Sequence, residues 1–301
     1  NFIKDIQKKA DSIRGTIKTG RTHLMDAMPI DFAEELLAWS SQLKSSKDML
    51  EVLEKKLLEL PQGGTAVGSG INAHKKFSQY FAQEITLLFG KKYKFVPSKN
   101  FYHELSSQDC SVQISGELKN LALILMKISN DLRWMNSGPL TGLSEIELKA
   151  LQPGSSIMPG KVNPVVPEAV AMASADVIGN DVTISIAAQS GNFQLNVMLP
   201  VIAYNLLKSI NLLSGAMNAL SKNAIKTFKV NHKNLGESLS KNPILVTALN
   251  PLIGYEKAAF IAKKAYKENR PIIDVAAEET NLTKAKLEKL LNPSKLSSGG
   301  I

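Results

Sequence analysis

The sequence predicts an all-α protein: a long central helical bundle followed by a small helical C-terminal domain. Three apolar stripes carry that expectation. Leu36, Trp39, Leu43, Leu50, Leu53, Leu57 and Leu60 recur at three- and four-residue spacing, with Ser46 in the missing position. Leu118, Leu121, Leu125, Ile128, Leu132 and Met135 repeat the pattern, and Leu199, Ile202, Leu206, Leu213 and Leu220 give a third stripe. Alternating segments bounded by turns, which half-buried strands require, are almost absent. At about 1.5 Å per residue such helices reach roughly 35–40 Å, and matched stripes along them imply an elongated bundle.

The elements follow in order. Asn1 to Thr16 reads as an amphipathic helix with no capping signal before it and no initiating methionine, as expected of a piece of a longer protein. Thr19 to Ala27 reads as a loop ahead of Pro29, and the first stripe then describes one long helix to Leu60. Gly63 to Asn72 is a glycine-rich turn. Between the second and third stripes, Glu168 to Ile186 is rich in alanine and valine and is expected to be a helix buried on several sides. Near Val230 the character changes. Short helical patterns follow at Glu256–Glu268, Asp274–Thr280 and Thr283–Leu291, the last with Thr283 as its N-cap. Residues 1–230 are therefore read as the bundle and 231–301 as the small domain, with a low-complexity tail at Ser297-Ser298-Gly299-Gly300.

Composition narrows the function classes. With 301 residues, 44% hydrophobic and 21% charged, the chain is ordinary for a globular protein. No stretch is read as approaching a membrane span, and no signal-peptide pattern stands at the start, so no membrane partner is expected. Cys110 is the single cysteine, which excludes an internal disulfide and a multi-cysteine zinc site and suits a reducing, cytoplasmic setting. His74, His103 and His232 lack ligand-spaced partners, so no metal is expected. The net charge of +9 suits nucleic acid, an acidic surface or an anionic small substrate, and equally a lysine-rich solvated surface. No basic run carries interleaved aromatics, so no nucleic acid is expected.

The chemistry concentrates in loops. Gly154-Ser155-Ser156-Ile157-Met158-Pro159-Gly160-Lys161-Val162-Asn163-Pro164 places two hydroxyls, a lysine and an asparagine in a stretch that cannot continue a helix. Lys161 and Asn163 are suited to holding a carboxylate or a developing oxyanion, and Ser155 and Ser156 to nucleophilic or proton-carrying roles once activated. Thr22 and His23 set a hydroxyl beside a titratable imidazole. Four glycines between Gly63 and Gly70 let backbone N–H groups approach an anion or let two helices touch closely. No strand precedes them, so they are no dinucleotide fingerprint.

Taken together these loops resemble blocks of the fumarase/aspartase superfamily. The Gly154–Pro164 segment matches its signature loop residue for residue, Thr22-His23 and Gly63–Asn72 resemble two further blocks in the right order, and the likeness runs the length of the chain. Within the superfamily, Ser190-Gly191-Asn192-Phe193-Gln194-Leu195-Asn196-Val197, Val246-Thr247-Ala248-Leu249-Asn250-Pro251 and Ile253-Gly254-Tyr255-Glu256-Lys257-Ala258-Ala259 look like class II fumarase. Gln152-Pro153 and Val165-Val166-Pro167-Glu168 occur in aspartate ammonia-lyase as well, which is the alternative. The resemblance implies a lyase of the tricarboxylic acid cycle that hydrates fumarate to (S)-malate through an aci-carboxylate, without metal or cofactor. It implies Ser155 as the base that takes the carbon proton, Ser156 as a substrate contact, and Lys161 and Asn163 as carboxylate ligands. It places Thr22 and His23 on the leaving-group side with Glu168 as the histidine's partner. It further implies a homotetramer whose subunits share active sites, and an N-terminal segment ahead of Asn1 that supplies further contacts. Many relatives carry an arginine after Ser-Gly-Pro, where this chain has Leu140. A catalytically silent assembly module is the reading from a different class.

Overall fold

The structure is a computed structural model describing residues 1–298; Gly299 and Gly300 of the tail lie outside the described residues. Helix α1 (Phe2–Ile13) buries Phe2, Ile6, Ala10 and Ile13, the stripe expected of an amphipathic helix. A hairpin of β1 (Ile17–Thr22) and β2 (Met25–Asp31) follows. Then come α2 (Phe32–Glu54), α3 (Phe77–Leu88), α4 (Phe101–Ser106) and α5 (Asp109–Met135). Next are the long helices α6 (Val165–Gln189) and α7 (Leu199–Leu220). The chain closes on α8 (His232–Ser240), α9 (Asn250–Ile253), α10 (Tyr255–Glu268), α11 (Ile272–Glu279), α12 (Lys284–Leu290) and α13 (Pro293–Leu296). Besides the hairpin, the strands among the described residues are two-residue pairs. The fold is all-α in character.

Four expectations change. The loop expected at Thr19–Ala27 is instead the centre of a hairpin over 17–31: its strands carry no apolar alternation and its turn no Asn-Gly, so neither the period nor the turn chemistry marks it. The first long helix stops at Glu54, where a 3₁₀ turn (Lys55–Leu58) and a short extended pair take over; Leu57 and Leu60 belong to those pieces and Leu57 is exposed. The alanine-rich helix α6 buries one face (Val170, Ser174, Val177, Ile184, Ala187) and leaves Met172, Val182 and Ile186 exposed, so within this chain it is covered on one side rather than several. By length and composition α6 is also apolar enough to cross a membrane, against the expectation that no segment is. Three of its polar residues, Ser174, Asn180 and Asp181, are buried: Asp181 is paired with Lys119 at 2.6 Å and Asn180 donates to Ser209 at 3.1 Å.

Two compact units emerge. One is residues 1–40, 132–164 and the chain from Ser221 onward. In it the rings of Phe32 and Phe228 stack with centroids 6.2 Å apart, and Lys9 donates to the Phe228 carbonyl at 2.6 Å. Asp5 accepts from Ser221 and is paired with Lys226; these bonds, the Ser221 hydroxyl foremost, hold its carboxyl below the ordinary value. Helices α9 to α13 close over a core of Leu245, Leu249, Ile261, Val275 and Leu287, and the Thr283 hydroxyl caps α12 at the Lys286 N–H. The other unit is residues 41–131 and 165–220. In it α6 and α7 pack along each other around Ile184, Ala187 and Ile202, and Ser115 and Lys119 of α5 reach both oxygens of Asp181.

Candidate active site

The Gly154–Pro164 segment is a loop closed by its own backbone. The Gly154 N–H donates to the Lys161 carbonyl at 2.8 Å, and the Asn163 Nδ2 donates to the Gly154 carbonyl at 2.9 Å. Gly154 has no substitute here: a Cβ would lie 2.6 Å from the Lys161 carbonyl oxygen, a backbone atom that cannot step aside. Inside the loop the Ser155 Oγ accepts the N–H groups of Ile157 at 3.2 Å and Met158 at 3.1 Å. Two donors converging on one hydroxyl oxygen favour its alkoxide over the hydroxyl. Ser155 is half-buried, whereas Ser156 and Lys161 are exposed. Lys161 makes no ion pair among the described residues, which leaves its ammonium free for an anion. A cavity of about 500 Å³ runs along this loop, lined by Gln152, Pro153, Ser155, Pro159 and Lys161 among others.

Thr22 and His23 stand at the tip of the β1–β2 hairpin. Thr22 pairs with Met25, so His23 and Leu24 are the two turn residues, with φ of 55° and 62°. Two positive φ values mark the type I′ turn that suits the twist of a hairpin. Neither residue is the glycine or asparagine such a turn prefers, and the left-handed conformation costs about 1–2 kcal/mol per residue. Strain of this kind persists where the surroundings fix it. All of Thr22, His23, Leu24 and Met25 are exposed, and His23 has no hydrogen bond or ion pair among the described residues.

Glu168 lies in the first turn of α6, where a carboxylate is favoured by the helix dipole, and is half-buried. The glycines of 63–72 serve the second of their two expected uses. A Cβ on Gly64 would lie 2.8 Å from the Phe101 Cβ, and one on Gly68 would lie 2.7 Å from the Tyr102 backbone, so they let α4 approach closely.

A family model described as "Lyase" matches residues 1–179, more than half of the chain, and one described as "Fumarase C C-terminus" matches residues 245–298. The chain belongs to this lyase family. Among curated relatives it is 58% identical over 296 residues to fumarate hydratase class II 2 of Pseudomonas aeruginosa, covering 98% of this chain and 64% of that protein. It is 54% identical over 298 residues to the class II fumarate hydratase of Xylella fastidiosa, covering 99% of this chain and 63% of that protein. The chain thus spans under two thirds of the length of these relatives. Among solved structures, the class II fumarase of Schistosoma mansoni superposes with a TM-score of 0.95 at 34% identity, covering 98% of this chain and 64% of that one. A fumarate lyase:delta crystallin of Brucella melitensis superposes at 0.93 with 38% identity and the same coverage of both chains. The all-α lyase fold and the resemblance to class II fumarate hydratases therefore stand.

The lyase also uses residues that sequence reasoning did not single out. Lys18 and Arg21 of β1 both reach Glu145, at 2.5 Å each, and Lys18 also reaches Glu35 at 2.9 Å. Asn242, 1% exposed, donates to the Thr19 hydroxyl at 3.3 Å and to the Ala27 carbonyl at 2.8 Å. None of these contacts has a local signature; Lys18 and Glu35 are 17 residues apart, the other partners more than a hundred, and only the folded chain brings them together. Leu140, which follows Ser137-Gly138-Pro139, is 94% exposed. Among the described residues no cluster of His, Cys, Asp and Glu can hold a metal ion.

Proposed function

We propose that this chain supplies the central and C-terminal parts of a class II fumarate hydratase, which interconverts fumarate and (S)-malate. The observation that carries the reading is the Ser155 hydroxyl held by two backbone N–H groups inside the matching signature loop. In the dehydration direction the Ser155 alkoxide takes the proton from the carbon next to a carboxylate. The electron pair moves into that carboxylate as an aci-carboxylate, which needs positive charge and donors already in place. Lys161 and Asn163 supply them, with Ser156 as a further contact. Asn163 donates one N–H to the loop itself, so its amide both braces the loop and faces substrate. On the other side Thr22 and His23 receive the departing hydroxyl, which leaves as water after protonation by His23; the family resemblance assigns Glu168 as the carboxylate partner of that histidine.

The active form is a homotetramer whose sites draw on more than one subunit. The support lies in α6 and α7, whose outward residues Met172, Val182, Ile186, Tyr204 and Leu207 expose a large apolar face with a groove of about 700 Å³. Residues 1–230 form the assembly core in this reading and 231–301 a small helical domain. A cytoplasmic location rests on the lone Cys110, whose thiol burial pushes above its ordinary value.

The test follows fumarate absorbance with the full-length protein, offering malate and aspartate separately. Fumarate from malate and none from aspartate is the expected result. Turnover of aspartate without malate would make it an ammonia-lyase, and turnover of neither would leave only an assembly role.

A further inference from the structure

The hairpin tip is aimed from its base. Lys18 and Glu145 are each only 3% exposed, and Arg21 18%. Burying charge is costly without full pairing, and here the pairing is complete. The Lys18 Nζ donates to Glu145 Oε2, Glu35 Oε2 and the Met135 sulfur, and it lies 4.5 Å from the centre of the Phe32 ring. Glu145 divides its oxygens, giving Oε2 to Lys18 and Oε1 to Arg21 Nη1. Side chains three apart on a regular strand point to opposite faces. The register shifts between Thr19 and Arg21, where two residues of β2, Ala27 and Met28, stand opposite the single Gly20, and at this irregularity Lys18 and Arg21 reach the same carboxylate. Gly20 is obligatory in that bulge, since a Cβ would lie 2.7 Å from the Met28 carbonyl oxygen.

A buried ion network adds little to stability over an apolar filling of equal shape; its gain is a fixed arrangement. What is fixed here is Arg21, the residue immediately before Thr22 and His23, directly beneath a strained turn. We propose that Glu145 is a positioning residue: through Lys18 and Arg21 it holds the β1–β2 tip at the angle from which Thr22 and His23 face substrate. The inference deepens the fumarate hydratase reading and rests on it for the roles of Thr22 and His23.

The test compares Glu145→Gln with the charge-balanced double variant Lys18→Met/Glu145→Gln in the full-length protein. Three quantities are read: Tm, kcat/KM for fumarate, and amide hydrogen exchange over residues 17–31 against that over α10–α12. Glu145→Gln is expected to lower Tm, to lower kcat/KM at least tenfold, and to speed exchange in the hairpin while α10–α12 stay as they were. The double variant, with no unbalanced buried charge, is expected to regain Tm but neither kcat/KM nor hairpin protection. If it regains all three, or if hairpin exchange never changes, Glu145 is merely structural and the proposal is overturned. Should Glu145→Gln fail to fold, the double variant carries the same decision. A wild-type protein that does not act on fumarate would sink the functional reading, while the exchange result would still decide whether Glu145 holds the tip.

Discussion

The signature loop and the hairpin tip lie in the same compact unit and present the same kind of exposed polar chemistry, yet they are built on opposite principles. The hydrogen bonds that close and furnish the loop run within 154–163: Gly154 to Lys161, Asn163 to Gly154, and the two N–H groups to Ser155. The tip has one loose tie of its own, Arg21 to Asp26 at 4.0 Å, and is otherwise secured from its base, by Glu145, Glu35 and Asn242. A site part made of contiguous residues carries its geometry in its own sequence. One anchored from afar depends on the whole unit being folded.

That contrast can be broken by substitution. Changing Gly154→Ala forces a Cβ against the Lys161 backbone and deforms the loop alone. Turnover is expected to fall about a hundredfold, the scale of a misplacement near 1 Å, with Tm nearly unchanged; a large loss of Tm would show that the loop is not self-contained. The reverse pattern is expected of Asn242→Ala, which strips the Thr19 and Ala27 bonds from the hairpin. Leaving buried groups unpaired costs about 2 kcal/mol, a fall in Tm of roughly 4–8 °C, accompanied by faster amide exchange in 17–31 and unchanged exchange in 150–164. Smallest is a local tie away from both. His103 lies 2.8 Å from Asp109, whose hydrogen bond raises the imidazole above its ordinary value. A raised folded value stabilises below the unfolded value of about 6.5 and is lost as pH rises through the folded one. The pair is half-exposed and screened, so His103→Ala is expected to lower Tm by about 1 °C at pH 5.5 and not at all at pH 9; an equal effect at both would refute the ion pair.

The same distinction explains what could be read in advance. The stripes ending at Met135 and Leu220 mark α5 and α7 because helical period is a local property, and Ser155, Lys161 and Asn163 were found because their loop is contiguous. Thr22 and His23 were singled out, but as a loop, since nothing near them announces the hairpin. Glu145 and Asn242 escaped altogether: a glutamate and an asparagine in polar surroundings carry no mark of burial until their partners are known. The exposed face of α6 is expected from the sequence to be buried for a related reason, because apolar composition records that a face is to be covered and not by what.

The account rests most heavily on Ser155 as the group that exchanges a proton with carbon. Hydration of fumarate by the full-length protein in D₂O, followed by NMR, tests this directly when wild type is compared with Ser155→Ala. Wild type is expected to give malate carrying one deuterium on the methylene carbon, the one without the hydroxyl. The Ser155→Ala protein should keep its Tm and form malate at least a thousandfold more slowly. Deuterated malate formed by Ser155→Ala at the wild-type rate would contradict the account.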